Sequence, residues 1–202
     1  MAQKLIFHSL YSPSIYSVAY EAPDHTLAEL ERPCESRVDI LGSFNGILLL
    51  LMNDVELYLW NPSIRMFRKF SPPEPSGTSF YGLGYDSVTE DFKVVRILWA
   101  LNNDPCPVHV FSSKLSLWKS IGTFSYYFPD DVPGMVLNGA PHWIVGSAID
   151  INRERVLFHL MAALALEGTA NLIKMEEEEI KGNGLPTGDF TVGFLQSLEV
   201  FQ

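Results

Sequence analysis

The stretch Gly42-Ser43-Phe44-Asn45-Gly46 leads directly into the apolar run Ile47-Leu48-Leu49-Leu50-Leu51. Asn-Gly favours the left-handed backbone conformations of a tight turn between two strands. A short apolar run between turn signals is typical of a buried strand. Asn53-Asp54 then supplies a second turn, and the next apolar segment ends at Trp60-Asn61-Pro62. The stretch therefore predicts consecutive strands joined by short turns.

A similar order of features returns further along the chain. Trp118 follows Phe67 by 51 residues, and Gly139 follows Gly46 by 93 residues, which is about two periods. A period of this length with several short strands per unit is typical of kelch or WD40 β-propellers. We predict an all-β fold, namely a partial (open or incomplete) kelch-like β-propeller with about three blades of antiparallel strands. Since propellers mostly present binding surfaces, the pattern favours binding over catalysis.

Composition limits the partners and the compartment. The net charge of −10 argues against nucleic acid, because its binders carry a basic stripe. The basic residues Arg65, Arg68 and Lys69 cluster at one turn, and we interpret them as a solvated turn face. No apolar stretch approaches the ~20 residues that cross a bilayer, so we expect no membrane partner. The two cysteines, Cys34 and Cys106, fit buried free thiols in a reducing compartment. We expect an intracellular protein, cytoplasmic or nuclear.

Proline-rich segments divide the chain. Residues 71–77 and 128–134 are predicted linkers, because proline lacks a backbone donor and cannot continue a central strand. We predict N-terminal strands and a loop over residues 1–34, followed by a propeller-like domain over residues 35–202. Within it, residues 154–166 have the apolar spacing of a helix. The repeat position favours a strand over residues 155–161, and we prefer the strand.

Five stretches carry a resemblance to a known family. They are Leu41-Gly42-Ser43-Phe44-Asn45-Gly46-Ile47-Leu48, Leu59-Trp60-Asn61-Pro62-Ser63, Tyr81-Gly82-Leu83-Gly84-Tyr85-Asp86-Ser87, Asp91-Phe92-Lys93-Val94-Val95-Arg96-Ile97 and Leu137-Asn138-Gly139-Ala140-Pro141-His142-Trp143. In this order and spacing they resemble the F-box-associated domain of plant F-box proteins, which include F-box/kelch-repeat and S-locus F-box types. The match is good over about residues 35–150 and poor after residue 160.

We interpret the residues of this pattern as structural, since they suit turns, strand ends and close backbone approach. The predicted blade positions are Gly42, Asn45, Gly46, Trp60, Asn61, Pro62, Gly84, Tyr85, Asp86, Trp118, Asn138, Gly139, His142 and Trp143. The candidate target-binding site is the aromatic cluster Tyr126, Tyr127 and Phe128. A core strand followed by a linker is the alternative that we favour for this cluster.

The sequence differs from the family pattern in two ways that affect its expected partners. Members usually begin with an F-box, a helical segment of which we find no trace before Gly42. The second half of the family's domain is missing or replaced after about residue 160. We therefore expect a C-terminally truncated domain without an F-box. A Skp1-like adaptor would be a partner only if an F-box exists outside this chain.

No arrangement of residues predicts catalysis. Asp130 and Asp131 are adjacent, whereas the carboxylates of a glycosidase pair come from separate segments. The five histidines lack a second ligand at metal-binding spacing. Phosphate loops and nucleophile elbows are also missing. We predict no catalytic residues, no cofactor, no metal site and no enzyme activity.

Three functions are consistent with the sequence. The resemblance implies a protein–protein interaction module that recognises substrates, an unidentified target protein, for an SCF-type E3 ubiquitin ligase. The second is a free-standing interaction module, decoy or non-functional fragment with no link to ubiquitin. The third, which we favour least, is a sugar binder or hydrolase on a propeller scaffold. An open arc of blades would also leave the first and last strands unpaired, which predicts self-association.

Overall fold

The computed structural model describes residues 3–9, 12–19, 26–32, 37–100, 104–124, 126–127, 134–147, 155–161, 174–179 and 196–199. These residues form strands and no helix. The strands are β1 (Gln3–Ser9), β2 (Ser12–Ala19), β3 (Ala28–Leu30), β4 (Val38–Phe44), β5 (Ile47–Met52), β6 (Glu56–Asn61), β7 (Met66–Phe70), β8 (Ser79–Asp86), β9 (Asp91–Leu98), β10 (Cys106–Ser112), β11 (Leu117–Phe124), β12 (Tyr126–Tyr127), β13 (Met135–Leu137), β14 (Ala140–Ser147), β15 (Arg155–Met161), β16 (Lys174–Glu179) and β17 (Gln196–Glu199).

The strands pair antiparallel in four sheets. Sheet 1 has the order β17-β1-β2-β3, and sheet 2 has the order β4-β5-β6-β7. Sheet 3 has the order β8-β9-β10-β11. Sheet 4 has the order β12-β14-β15-β16, with β13 also paired to β14. The prediction of an all-β, antiparallel, partial propeller-like fold is confirmed.

The number of sheets differs from the expected three or so blades. The N-terminal strands form a sheet of their own with β17, in a register that runs from Gln3 opposite Glu199 to Ile6 opposite Gln196. Strand β1 also pairs with β2 on its other side. The expectation that the first and last strands would lack partners was therefore wrong. The self-association inferred from it loses its basis.

Strand β15 settles the ambiguous segment. It pairs with β14 on one side and β16 on the other. The helical reading of residues 154–166 is therefore wrong for residues 155–161, while residues 154 and 162–166 lie outside the described residues. Two flanking strands supply ladder partners along β15, and this tertiary pairing outweighs a local helical spacing.

Apolar side chains join neighbouring sheets in three clusters. Between sheets 1 and 2 the buried residues are Ile6, Ile15, Val38, Leu48, Leu50, Met52, Tyr58 and Trp60. Between sheets 2 and 3 they are Leu49, Leu57, Leu59, Tyr81, Leu83, Val94 and Phe111. Between sheets 3 and 4 they are Phe80, Val95, Ile97, Cys106, Val108, Val110, Trp143 and Val145. Alternate residues of one strand therefore serve two different interfaces.

The position of strand β5 explains why the apolar run over residues 47–51 is continuous. Leu48 and Leu50 point toward sheet 1, whereas Leu49 points toward sheet 3, and all three are fully buried. A strand covered on both faces needs apolar residues at successive positions instead of alternating ones. The unbroken run over residues 47–51 thus follows from the position of β5 inside the stack of sheets.

Arg96 holds the linker that leads from sheet 2 to sheet 3. Its side chain is buried, and its guanidinium donates to the carbonyl oxygens of Pro73 (2.5 Å) and Pro75 (2.9 Å) and to the Ser79 hydroxyl (2.9 Å). Residues 71–78 contain no strand, in agreement with the predicted linker. Hydrogen bonds to a charged donor are stronger than neutral ones. The proline-rich linker is therefore anchored at two of its own carbonyl groups.

The Trp143 indole is wedged against two glycines. A Cβ atom added to Gly82 would lie 2.7 Å from Trp143 Cζ2, and one added to Gly134 would lie 2.6 Å from Trp143 Cε2. The amide of Gly134 donates to the Tyr81 carbonyl at 2.9 Å. Sheets 3 and 4 can approach this closely only because neither glycine carries a side chain.

Gly82→Ala should destabilise the chain by about 1–3 kcal/mol, the usual cost of overpacking. The new methyl group would also lie 2.6 Å from Pro141 Cβ, and neither the proline ring nor the indole can swing aside. Gly77→Ala is the matched control, because its methyl group would meet only Leu98 Cδ1, at 3.3 Å. Urea unfolding followed by circular dichroism measures both. Equal midpoints for the two variants would contradict the wedge.

Candidate interaction surface

Several of the predicted blade residues lie close together where strands β4 and β8 end. The amide of Tyr85 donates to the Gly139 carbonyl at 2.7 Å. The rings of Phe44 and Tyr85 are stacked, with 5.7 Å between their centroids. Gly139 has φ +78°, and a Cβ atom there would lie 3.0 Å from the Tyr85 carbonyl oxygen. The turn of sheet 4 is thus fastened to the ends of sheets 2 and 3.

The remaining glycines and turn residues lie around the same junction. A Cβ atom on Gly42 would lie 3.2 Å from Leu83 Cβ, and one on Gly84 would lie 3.2 Å from the Gly139 carbonyl oxygen. Asn45 and Gly46 form the β4–β5 turn with φ 47° and 76°. Asn138 has φ 52° in the β13–β14 turn.

Trp60, Asn61 and Pro62 form the corner at the end of β6. The Trp60 side chain is only 2% exposed and belongs to the cluster between sheets 1 and 2. The Asn61 side-chain carbonyl accepts a hydrogen bond from the Ser63 amide at 3.0 Å, which closes an Asx turn. Pro62 lies in the turn over residues 62–65, where it ends the strand.

The other predicted blade residues also have contacts inside the fold. The indole N–H of Trp118 donates to the Ser71 carbonyl at 2.8 Å. Asp86 accepts from the Val88 amide at 2.9 Å and from the Thr89 hydroxyl at 2.6 Å. Buried His142 has its Nδ1 atom 2.9 Å from the Ala140 carbonyl oxygen.

The aromatic candidate is only partly described. Tyr126 and Tyr127 form β12, which pairs with Ser147 and Gly146 of β14. Phe128, Asp130 and Asp131 lie outside the described residues. Target binding by this cluster stays a prediction.

A buried polar network around Asp91 was not identified from the sequence. The Asp91 carboxylate accepts from Lys93 Nζ (2.5 Å) and from the hydroxyls of Ser112 (2.5 Å) and Ser113 (2.7 Å). The Lys114 amide donates to it at 2.8 Å. Asp91 and Lys93 are 2% and 1% exposed. The network ties β9 to the β10–β11 turn.

Acid should weaken this network. Burial alone would raise the pKa of the Asp91 carboxyl, but hydrogen bonds led by the one from Lys93 outweigh burial and hold the pKa below its ordinary value. A depressed folded-state pKa contributes stability that is present above the unfolded value and is lost as pH falls through the folded value. We expect the urea midpoint to decline below about pH 5, and less steeply in Asp91→Asn. Identical acid slopes for variant and parent would contradict this.

Five turns lie at one end of sheets 2, 3 and 4. They cover residues 45–46, 62–65, 87–90, 113–116 and 138–139, and we call this the hairpin end. The Phe44–Tyr85 stacking and the Tyr85–Gly139 hydrogen bond bring three of the turns together. The Lys114 ammonium donates to the Thr89 carbonyl at 2.6 Å and joins two turns of sheet 3.

The hairpin end exposes apolar side chains at repeated positions. In sheet 2, Ile64 and Met66 are 62% and 65% exposed. In sheet 3, Leu115 and Leu117 are 49% and 62% exposed, and each follows its sheet 2 counterpart by 51 residues. The residues between the members of each pair, Arg65 and Ser116, have φ 55° and 56°. Adjacent sheets therefore present the same exposed pair on the same kind of turn.

Arg68 of β7 is hydrogen-bonded to the β10–β11 turn, which contains Leu115. Its guanidinium donates to the Ser113 carbonyl and to the Ser116 hydroxyl, so β7 of sheet 2 lies against the β10–β11 turn of sheet 3. Met66 is two residues from Arg68 and lies on the same face of β7. Leu115 lies between the two residues that accept from Arg68. The expected solvated face of Arg65, Arg68 and Lys69 is exposed, but Arg68 also joins two sheets.

The matching family is described as the F-box associated beta propeller domain, and its match covers residues 9–161. The chain belongs to this family. The resemblance predicted from the sequence is confirmed. As an F-box associated domain, the chain places its family pattern at the junctions between sheets, whereas the exposed apolar pairs lie outside those positions.

Curated relatives come from Arabidopsis thaliana. The F-box associated domain is 34% identical to F-box protein At4g22390 over 64% of this chain and 39% of that protein. It is 30% identical to F-box protein CPR1 over 65% of this chain and 38% of that protein. With F-box/kelch-repeat protein At3g23880 it shares 27% identity over 70% of this chain and 39% of that protein. The match spans about two fifths of the length of each relative.

The described residues of the domain bear on two other kinds of site. They contain no group of three or more His, Cys, Asp or Glu residues placed to hold a metal ion. Within the same described part, no helix is long and apolar enough to cross a membrane. Cys106 is a buried free thiol.

Proposed function

We propose that the chain binds a target protein and corresponds to the substrate-recognition part of an SCF-type ubiquitin ligase. The observation that carries the proposal is the repeated exposed apolar pair on adjacent sheets, in a member of the F-box associated family. Exposed apolar side chains that recur on a rigid scaffold are typical of protein-binding surfaces. The names of the relatives, F-box protein CPR1 among them, support the link to ubiquitin ligases.

The proposed mechanism is proximity. A target held by this domain has a raised effective concentration at the ubiquitin-loading enzyme, and no bond is made or broken by the domain itself. The F-box that docks on a Skp1-like adaptor would be supplied outside these residues. The proposal assigns the chain to the cytoplasm or nucleus.

The buried ionisable groups support binding over catalysis. Asp91 and Lys93 pair with each other beneath the surface, and Arg96 is occupied by the linker. A catalytic acid or base must come within hydrogen-bond reach of a substrate. At 2% exposure or less, none of the three can reach one without a rearrangement of the sheet.

Ubiquitination in a reconstituted ligase tests the proposal. The chain would be fused behind an F-box from one of the Arabidopsis relatives and combined with a Skp1-like adaptor and the remaining ligase subunits. Proteins captured by the free chain should become ubiquitinated by the fusion and not by the F-box alone. The free chain should not bind the adaptor.

Three outcomes would count against the proposal in different ways. Captured proteins that stay unmodified would favour the free-standing interaction module. Failure to capture any protein saturably would remove the binding function itself. Saturable binding of the adaptor by the free chain would overturn the assignment of that contact to a separate F-box.

A further inference from the structure

The two exposed apolar pairs at the hairpin end lie among positive charges without acidic partners. Arg68 donates to the Ser113 carbonyl and the Ser116 hydroxyl, and Lys114 Nζ donates to the Thr89 carbonyl. All three acceptors are uncharged. Among the described residues, no ion pair joins Arg68 or Lys114 to a carboxylate. Both side chains are exposed to solvent, so each can also approach a carboxylate of a bound partner.

A third cation lies between Ile64 and Met66. Arg65 makes an ion pair with Glu31 at 3.0 Å, but the two side chains are 77% and 73% exposed. Exposed pairs of this kind are weak, so a partner's carboxylate can replace Glu31 with little loss. The whole chain carries 24 acidic and 14 basic residues. Three cations, Arg65, Arg68 and Lys114, therefore lie beside the apolar pairs of a chain whose net charge is −10.

Dissolved salt limits the distance over which charges on the protein act on a bound segment. The Debye length at physiological ionic strength is about 8 Å, so a segment bound beside Arg65, Arg68 and Lys114 interacts mainly with charges within about that distance. Arg68 uses two of its donors for Ser113 and Ser116, and a guanidinium has about five. The others are available to a carboxylate.

We propose that the hairpin end of sheets 2 and 3 binds a segment of the target protein that carries bulky apolar side chains next to Asp or Glu. The apolar side chains pack on Met66 and Leu115, which lie where the Arg68 hydrogen bonds join β7 to the β10–β11 turn. The carboxylates pair with Arg68 and Lys114. This inference rests on the proposed function, because it names the surface and the chemistry of the target that the domain holds.

Selection from a displayed random-peptide library tests the inference with the whole chain as bait. The same chain with Met66→Ser and Leu115→Ser serves as the counter-selection bait. Met66 is 65% exposed and Leu115 is 49% exposed, so the double variant should nearly keep the melting temperature of the parent. Peptides enriched on the parent alone should contain large apolar residues next to Asp or Glu.

One enriched peptide would then be synthesised with a fluorophore for affinity measurements. The double variant should lower its affinity at least about tenfold. Lys114→Gln should lower the affinity and reduce its dependence on sodium chloride. Val55→Ser is the matched control, since Val55 is 64% exposed but lies in the β5–β6 turn at the opposite end of sheet 2. It should change the affinity by less than about twofold.

Several results would overturn the inference. They are equal enrichment on both baits, enriched peptides without acidic residues, and an equal effect of Val55→Ser. Sedimentation that shows a dimer of the parent chain, abolished in the double variant, would assign the surface to a second copy of this chain. Peptide binding without ubiquitination would reject the proposed function alone. Capture of targets that ignores the double variant would reject this surface alone.

Discussion

Replacing Trp60 with alanine should leave the chain largely unfolded. Trp60 is 2% exposed and packs with Ile6, Ile15 and Val38 between sheets 1 and 2. Truncating a buried tryptophan costs about 3–5 kcal/mol. Domains have only about 5–15 kcal/mol of net stability, so the loss is a large share of the total. Urea unfolding by circular dichroism should show a lower midpoint, or no folding transition.

Phe67→Ala is the matched control for Trp60→Ala. Phe67 lies directly opposite Trp60 in the β6–β7 ladder, but its side chain is 53% exposed. Its ring lies beside that of Tyr58, with ring centroids 5.9 Å apart. We expect a cost below about 1 kcal/mol, as for cross-strand surface pairs. If both variants lose the same stability, or Trp60→Ala keeps its melting temperature, the Trp60 corner does not hold the sheets together.

The strand pattern was predictable because it depends on short-range chemistry. Asn45-Gly46 adopts the left-handed turn that its residues favour, and the run after it becomes a strand buried on both faces. The close approach suggested by the glycines of β8 also depends on local sequence. These features need no knowledge of distant partners.

The sheet built from β1 and β17 could not be predicted in the same way. Its register joins residues 3–6 to residues 196–199, so the partners are separated by nearly the whole chain. A four-residue strand carries too little periodicity to specify a distant partner. At residues 155–161 the local spacing favoured a helix and only the repeat position favoured the observed strand, because the pairing with β14 and β16 is long-range.

Two features of the structure were not predicted, although the sequence contains a pattern for each of them. Asp91 and Lys93 alternate with apolar residues in β9, and this spacing places both on one face of the strand. The pairs Ile64–Met66 and Leu115–Leu117 recur at the same 51-residue period as Phe67 and Trp118. The basic residues beside the first pair were interpreted as a solvated turn face. Only the hydrogen bonds from Arg68 of β7 to the β10–β11 turn show that Met66 and Leu115 lie at the same junction of sheets.

Asp91→Ala should destabilise the chain by about 3–5 kcal/mol, because it leaves a buried ammonium group without its partner. Lys93 is 1% exposed and cannot reach water without opening the sheet. The hydroxyls of Ser112 and Ser113 would also lose their acceptor. The expected result is a large fall in the urea midpoint, measured near neutral pH so that the parent carboxylate is charged.

A second substitution distinguishes the cost of leaving Lys93 unpaired from the cost of losing the Asp91 hydrogen bonds. In Asp91→Ala with Lys93→Met, the unpaired charge is gone while the side-chain length is kept, so the double variant should be more stable than Asp91→Ala alone. Asp86→Ala is the control, since Asp86 lies opposite Asp91 in the β8–β9 ladder and accepts hydrogen bonds from Val88 and Thr89, and its loss leaves Asp91 paired with Lys93. It should cost about 0.5–1.5 kcal/mol, the net worth of an ordinary hydrogen bond. A double variant no more stable than Asp91→Ala would show that the lost hydrogen bonds, and not the buried charge, account for the effect.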